Sequence, residues 1–455
     1  MEEKSIKLLR DKIDQLDNQL LDIIIKRTEI VDEIGILKNN NKKVVDNKRE
    51  NQVLSRLLDM HKGNFSKDSL VRIWREIFYT SAKIQLKTND IFSPKREINN
   101  IKVYKGGVSN IVGKDKIIKL SSNESPFGPS YKAVDAYKKS SEKLSRYPEL
   151  TAQSLQKKIA EKFNLNHNQI ICGTGSDEIL IFITLAFCSP GDEVIHSEHG
   201  FEMYPIVTKY AGAISKLASE INYKTSIDSI IEKVNSSTKV IFIANPNNPT
   251  STYLSKNELK TLIEKVPEDV IIVIDGAYAE FADADDYDKT FSLVEKHKNV
   301  IITRTFSKAY SLAGLRLGWA YAGKELIEII KKLRPPFNLP PGAIAAGIAA
   351  LEDDDHLEKV IKHNKEIKSW FTNELKSLGL KAYDTQTNFV FVEIPNTNNV
   401  SAELLNNYLL SKGIAVRYLL SYGLENALRI TFGTKKELEL TIREIKNFIN
   451  KNENI

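Results

Sequence analysis

The sequence predicts a multidomain protein, an all-α three-helix N-terminal domain followed by an α/β domain on a mostly parallel sheet. Three observations carry that prediction. Over the first ninety residues apolar side chains recur at alternating three- and four-residue steps, at Ile6, Leu9, Ile13, Leu16, Leu20, Ile23, Ile30, Ile34 and Leu37, which is one face of a long helix with a coiled-coil-like seam. From Ile101 onward short apolar runs alternate with helical stretches, as in Val270-Ile271-Ile272-Val273-Ile274 and Val300-Ile301-Ile302, the pattern of a parallel sheet with crossover helices. Between them, Lys87 to Asn100 holds Asn, Asp, Pro and Lys without periodicity and reads as a linker. The domains are drawn at residues 1–88 and 101–455, with 89–100 between them.

Composition narrows the function classes. The chain has 455 residues, enough for at least two domains, and a formal charge of +6 spread along its length, which gives no support to nucleic-acid or membrane binding. No apolar run is long enough to span a bilayer, and the first residues are charged rather than signal-like. Cys172 and Cys188 lie in apolar surroundings without metal-ligand spacing, so neither a disulfide framework nor a zinc site is expected. The chain reads as cytoplasmic.

In the first helix the seam is broken at Arg27, where an apolar residue is due. A guanidinium in a packed seam is costly unless an anion pairs with it. Lys38 follows on nearly the same face, roughly 16 Å along the axis. A second helix opens at Asp46-Asn47-Lys48-Arg49-Glu50 and ends at Gly63-Asn64. A third runs from about Lys67 to Leu86, with Ser81 and Gln85 on its inner stripe. Polar groups on the inner faces of three helices suggest a site within a bundle, and the cations suggest an anionic ligand.

This layout resembles the all-helical chorismate mutase family over roughly Lys4 to Leu86. The matching motifs are Leu9-Arg10-Asp11-Lys12-Ile13-Asp14, Lys26-Arg27, Gly35-Ile36-Leu37-Lys38, Val44-Val45-Asp46 with Arg49-Glu50, and Ser81 with Gln85. The resemblance implies that Arg10 enters the partner subunit's site and holds a substrate carboxylate together with Arg27. It implies that Lys38 and Gln85 bond the ether oxygen, that Glu50 holds the ring hydroxyl, and that Asp46, Arg49 and Ser81 complete the pocket. Thr28 stands where a second Arg is often seen. Without the resemblance, a helical dimerisation cap with solvated charges accounts for the same residues.

The larger domain carries its polar residues at strand ends. Ile170-Ile171-Cys172 runs into Gly173-Thr174-Gly175-Ser176-Asp177, which opens an apolar helix; such a start binds phosphate, although a capped glycine turn explains it equally well. Phe201 follows the strand Val194-Ile195-His196, and an aromatic there can stack on a flat heterocycle. Val240 to Ala244 leads into Asn245-Pro246-Asn247-Asn248-Pro249-Thr250. The run 270–274 delivers Asp275, with Tyr278 three residues on. A carboxylate so placed needs a cationic partner, and a protonated pyridine nitrogen is one. The run 300–302 delivers Thr305, Ser307 and Lys308, followed by Arg316. Hydroxyls and a guanidinium around a lysine suit a phosphate, and a lysine amine beside a phosphate site is what a Schiff base with pyridoxal phosphate requires.

Together these residues resemble the fold-type I pyridoxal-phosphate aminotransferases, and within them the histidinol-phosphate aminotransferase subgroup. The motifs are Thr305-Phe306-Ser307-Lys308 with Ala313-Gly314-Leu315-Arg316, Asn247-Asn248-Pro249-Thr250, and Asp275-x-x-Tyr278. The resemblance implies a large part at about 145–340 and a smaller α+β part from about 101–144 plus 341–455. It implies that Lys308 carries pyridoxal 5'-phosphate and shuttles the proton, and that Asp275 pairs with the pyridine nitrogen. Asn248 and Tyr278 would bond the ring hydroxyl and Phe201 would stack on the ring. Gly175, Ser176, Asp177, Thr305, Ser307 and Arg316 would hold the phosphate, joined by Tyr147 of a second subunit. Arg429, in Leu428-Arg429-Ile430-Thr431-Phe432-Gly433, would take the substrate's acidic group, with Arg417 and Tyr104 as further candidates. Two positions depart from the family, Ser251 for a glycine and Gly276 for a frequent glutamate.

The two resemblances imply a homodimer, small-molecule substrates and a bifunctional enzyme. One reading is chorismate to prephenate, then transamination of prephenate, phenylpyruvate or 4-hydroxyphenylpyruvate with glutamate as the expected donor; fusing the two raises local supply of the intermediate. The other is histidinol-phosphate aminotransferase beside an active or regulatory mutase. A non-catalytic sensor fused to a DNA-binding domain would need a helix-turn-helix, and the long heptad helix argues against one.

Overall fold

The structure, a computed structural model, describes residues 2–37, 46–86, 96–99, 101–104, 106–111, 113–114, 116–289 and 291–453. The chain divides into two compact units, Met1–Asn100 and Ile101–Ile455. Among the described residues no helix is long and apolar enough to cross a membrane.

The first unit is built on three helices, α1 (Glu2–Leu37), α2 (Asn47–Met60) and α3 (Lys67–Leu86), followed by the short helix Arg96–Asn99. Asp46 caps α2, accepting from the Arg49 backbone N–H at 3.0 Å, and so satisfies a donor the helix cannot pair internally. The helix ends at Met60, three residues short of the Gly63-Asn64 stop: His61 already has an extended backbone. Among the described residues, Val31, Leu54 and Phe78, one from each helix, are the buried apolar side chains of the bundle. Gly35 lets α1 approach α3, because a Cβ there would lie 3.1 Å from the Gln85 Cα. Along the N-terminal part of α1 the predicted seam is open. Ile13, Leu16, Leu20 and Ile23 are each more than half exposed.

The second unit is built on a seven-stranded sheet. Its strands lie in the order Ile170–Gly173, Gly318–Ala322, Val300–Thr305, Ile271–Asp275, Thr238–Ala244, Glu193–Ser197 and Ile214–Ala218. All neighbours run parallel except Gly318–Ala322, which is antiparallel to both of its own. Alternation along each strand sorts its side chains to two faces. Ile241, Ile243, Ile272 and Ile274 enter one core, and Val240, Phe242, Ile271 and Val273 the other. With both faces covered the central strands are mostly apolar, as in 240–244, 271–274 and 300–302, which is why they read as runs.

A four-stranded antiparallel sheet, ordered Lys381–Ala382, Phe389–Glu393, Ala427–Thr431 and Arg417–Tyr418, forms a second layer with its own core around Phe371, Val390 and Ile430. The helices Tyr131–Ser140 and Pro341–Leu351 fall in the sequence ranges drawn for this smaller part. They pack otherwise: Ala133, Ala343 and Ala346 are buried in the core of the large sheet. Small side chains let helices lie close, and apolar periodicity does not say which core a helix joins.

Candidate active sites

Register gathers the strand-end residues of the large sheet. Ala244 lies opposite Asp275, Asp275 opposite Thr303, Thr305 opposite Gly318, and Gly318 opposite Gly173. Beyond that edge is a cavity of about 320 Å³. It is lined by most of the predicted residues: Tyr104, Ser176, Asp177, Phe201, Asn248, Asp275, Tyr278, Thr305, Ser307, Lys308, Arg316, Arg417 and Arg429.

Asp275 is at the floor. Burial pushes its carboxyl up to about 6, against hydrogen bonds from Thr303 Oγ1 at 2.9 Å and Tyr204 Oη at 3.0 Å that favour the ionised form. Lys308 Nζ donates to the Ser122 carbonyl at 3.2 Å. Burial, reinforced by the positive charge of Arg429, brings its amine down to about 8. Tyr278 Oη accepts from Asn123 Nδ2 at 2.8 Å, which leaves its own proton free to donate. Arg429 is buried beneath the opposite wall, donating to Asn248 Oδ1 at 2.6 Å and to the Ser121 carbonyl at 2.8 Å.

One end of the cavity is a cradle for an anion. The helix Ser176–Phe187 starts there, preceded by Gly175 at φ +86°. A Cβ on Gly175 would meet Arg316 Nη2 at 2.6 Å, so only glycine leaves the space open. Arg316 reaches Ser307 Oγ at 3.4 Å and Asp177 Oδ2 at 3.2 Å, and the Ser307 N–H donates to Thr305 Oγ1 at 3.1 Å. Free N–H groups, two hydroxyls and a guanidinium fit a phosphate. A carboxylate at the floor and a lysine amine on the same cavity fit the rest of pyridoxal phosphate.

Tyr147, expected from a second subunit, and Arg417 stand apart from the other predicted residues. Tyr147 lies outside the cavity of its own chain, largely exposed and stacked on Phe337 with centroids 4.7 Å apart. Arg417 lines the cavity but is already engaged, with Glu202 Oε2 at 3.1 Å and the Gly106 carbonyl at 2.9 Å. Four contributors were not foreseen. Tyr204 and Thr303 brace Asp275, and Asn123 and Ser122 hold Tyr278 and Lys308. The last two belong to the loop Leu120 to Pro129; Tyr204 is three residues past Phe201, in the helix Met203–Tyr210.

The helical unit has its own cavity, of about 400 Å³, lined by Arg27, Asp46, Arg49, Glu50, Ser81 and Gln85 with the aromatic rings of Trp74 and Phe78. Arg27 Nη1 donates to Ser81 Oγ at 2.5 Å, and its guanidinium lies 6.0 Å from the centroids of both rings. The anion that a half-buried guanidinium calls for is not supplied by the described residues of the bundle: serine and two π faces hold it instead. Burial lowers the Arg27 pKa. Gln85 Oε1 is buried without a hydrogen-bond partner. Arg10 is exposed on α1 and does not line this cavity. Lys38 lies outside the described residues.

Residues 115–445 match the family model for aminotransferase class I and II. The chain belongs to this family. Residues 9–86 match the model for chorismate mutase type II, so this aminotransferase carries a mutase domain ahead of it and the chain is both an isomerase and a transaminase. The histidinol-phosphate aminotransferase of Dinoroseobacter shibae is 45% identical over 298 residues, 66% of this chain and 82% of that protein. That of Paramagnetospirillum magneticum is 42% identical over 303 residues, 67% and 84%. Among solved structures, the histidinol-phosphate aminotransferase from Sinorhizobium meliloti in complex with pyridoxal-5'-phosphate shares the fold. Its TM-score is 0.72 at 24% identity, covering 80% of this chain and all of that one.

The two departures of this aminotransferase have local explanations. At Gly276 the space a Cβ would occupy is filled by the Arg304 guanidinium. Arg304 lies over Phe291 at 5.0 Å and donates to the carbonyls of Thr303 and Lys289 at 3.2 and 2.7 Å. Ser251 is buried at φ +63°, with Oγ donating to the Thr250 carbonyl at 2.6 Å. The left-handed conformation that suits glycine is kept, at a cost of about 1–2 kcal/mol for a residue with a Cβ.

Proposed function

We propose that this chain rearranges chorismate to prephenate in its helical unit and transaminates an aromatic-pathway keto acid in its second unit. The acceptor would be prephenate, phenylpyruvate or 4-hydroxyphenylpyruvate, and the assembly a homodimer. The observation that carries the reading is the pairing, in one chain, of a mutase domain with an aminotransferase cavity whose buried Arg429 has no carboxylate partner among the described residues. A carboxylate-bearing substrate supplies that partner.

In the helical unit Arg27, oriented by Ser81, takes a carboxylate of chorismate together with Arg10 from a second copy. Gln85 and Lys38 donate to the ether oxygen as charge develops on it, and Glu50 holds the ring hydroxyl. Asp46 and Arg49 close the pocket. The rearrangement needs neither a nucleophile nor a proton transfer, so binding a compact conformer and stabilising that charge suffices. The exposed residues Ile13, Leu16, Leu20 and Ile23 of α1 support a second copy.

In the second unit Gly175, Ser176, Asp177, Thr305, Ser307 and Arg316 hold the phosphate of pyridoxal phosphate, with Tyr147 from the second copy. When bound, this group supplies an electron sink for the bond broken at the substrate's α-carbon. Asp275 holds the proton on its ring nitrogen. Asn248, whose Oδ1 is taken by Arg429, donates Nδ2 to the ring hydroxyl, as Tyr278 does through Oη. Phe201 covers one ring face. Lys308 attaches the cofactor and then, as a neutral amine, moves the proton at the substrate's Cα. Arg429 fixes the substrate carboxylate and so orients the bond that breaks.

The names of the sequence relatives favour a second reading, transamination at histidinol phosphate. A guanidinium accepts carboxylate and phosphate alike, so substrates must decide. The test is a competition of prephenate, phenylpyruvate and 4-hydroxyphenylpyruvate against imidazole acetol phosphate, with glutamate as donor. The aromatic acceptors are expected to win in kcat/KM. A preference of about a hundredfold for imidazole acetol phosphate, ~2.7 kcal/mol of transition-state discrimination, overturns the reading.

A further inference from the structure

Besides Arg316 of the phosphate cradle, the aminotransferase cavity is lined by two arginines in different electrostatic states. They are opposite one another in register, Arg417 on the edge strand Arg417–Tyr418 and Arg429 on its neighbour. Arg429 donates only to neutral acceptors, Asn248 Oδ1 and the Ser121 carbonyl, and its Nε is buried without a partner. Arg417 is bound to a carboxylate, Glu202 Oε2 at 3.1 Å, with both side chains mostly buried at 11% and 16% exposure. Glu202 directly follows Phe201, which lines the same cavity. Tyr104 stands within electrostatic reach of Arg417, Glu202 and Arg429, and Tyr422 lines the cavity beside it.

Without Glu202 this end of the cavity would present two guanidinia and would suit a substrate that brings two negative charges there, on two carboxylates or on one phosphate. With Glu202 in place one positive charge is already neutralised, and a second anion entering there must break the ion pair or face a carboxylate. A partly buried pair resists that exchange, because removing one partner leaves the other charge uncompensated. What remains is one unmatched cation, Arg429, beside the aromatic rings of Tyr104 and Tyr422.

We propose that Glu202 is a specificity-determining residue: by occupying Arg417 it turns the cavity toward keto acids with a single carboxylate and an uncharged aryl group, and away from phosphate esters and dicarboxylates. The inference rests on the function proposed above and narrows it to the aryl pyruvates. It applies to the donor too, since glutamate brings a second carboxylate to the same place.

The test uses the full-length holoenzyme and its Glu202→Gln variant. Steady-state constants are measured for phenylpyruvate, prephenate and imidazole acetol phosphate, and inhibition constants for inorganic phosphate and 3-phenylpropionate. Glu202→Gln is expected to raise kcat/KM for the two dianionic acceptors relative to phenylpyruvate by on the order of tenfold, mainly through KM, and to tighten phosphate relative to 3-phenylpropionate. The KM for glutamate should fall as well. In an Arg417→Gln background the effect should vanish, because the competition no longer has an object. Should Glu202→Gln fail to fold, Glu202→Ser carries the same expectation. Ratios that stay level, or that persist without Arg417, overturn the inference, since a merely structural role moves all acceptors alike. The wild-type preference separately decides the aromatic reading, which can fail while the Glu202 effect stands.

Discussion

Tyr204 donates a hydrogen bond to Asp275 at 3.0 Å, so the carboxylate at the cavity floor is braced from within the protein rather than by solvent. The phenol is itself fully buried, on the helix Met203–Tyr210, and stacks on Phe242 of the central sheet. A hydrogen bond to a charged group contributes about 1.5–3 kcal/mol, and here it acts against the burial that pushes Asp275 up to about 6.

Tyr204→Phe should therefore raise the Asp275 pKa further. The ionised carboxylate is the form that holds a protonated ring nitrogen, so cofactor affinity should weaken as pH falls through about 6 in the parent protein and through a higher pH in the variant. Equilibrium dialysis of the apoprotein against pyridoxal phosphate over this range reads the midpoint. An unmoved midpoint would show that Tyr204 serves packing alone.

Lys308 leads to a second pH dependence, of the same cause and the opposite direction. Burial favours its neutral amine and brings the pKa down to about 8, so the nucleophilic fraction rises roughly tenfold per pH unit below that value and levels above it. The rate at which apoprotein captures pyridoxal phosphate, followed by absorbance, should show that profile. Arg429→Gln removes a positive charge that acts on the amine, so the plateau should begin at a higher pH. Lys308→Ala should give no covalent capture.

Arg27 is expected to matter for one activity only. Arg27 holds a substrate carboxylate in the proposed mechanism, and truncating one partner of such a hydrogen-bonded charge pair costs about 2–5 kcal/mol, so Arg27→Ala should lower kcat/KM for prephenate formation by about 10²–10³. Transamination by the same preparation should be unchanged. Equal loss of both activities would mean that the substitution unfolds the chain.

Gly175 is the most constrained residue of the phosphate cradle. Gly175→Ala places a Cβ 2.6 Å from Arg316 Nη2 on a backbone at φ +86°. The cofactor dissociation constant should rise by about tenfold or more, as one charge-assisted contact is lost, and pyridoxal without its phosphate should be bound equally by parent and variant. Calorimetry with both compounds distinguishes this from general destabilisation.

Much of this protein was legible in its sequence for a local reason. A strand covered on both faces is apolar through its centre, so the chemistry-bearing residues collect past the end of each run: Asp275 after 270–274, Asn248 past 240–244, Lys308 past 300–302. Helical spacing likewise put Arg27, Ser81 and Gln85 on inner faces, and the structure lines one cavity with them. What the sequence did not disclose is who holds these groups. Tyr204 meets Asp275 from 71 residues away, Asn123 meets Tyr278 from 155, and Glu202 meets Arg417 from 215. Nor did it disclose that Arg304 fills the space left at Gly276, or that the helices Tyr131–Ser140 and Pro341–Leu351 join the large core. Periodicity and strand ends are properties of a few consecutive residues, whereas these contacts depend on strand order, register and the volume left between packed elements, which are set only when the whole sheet has closed on its neighbours.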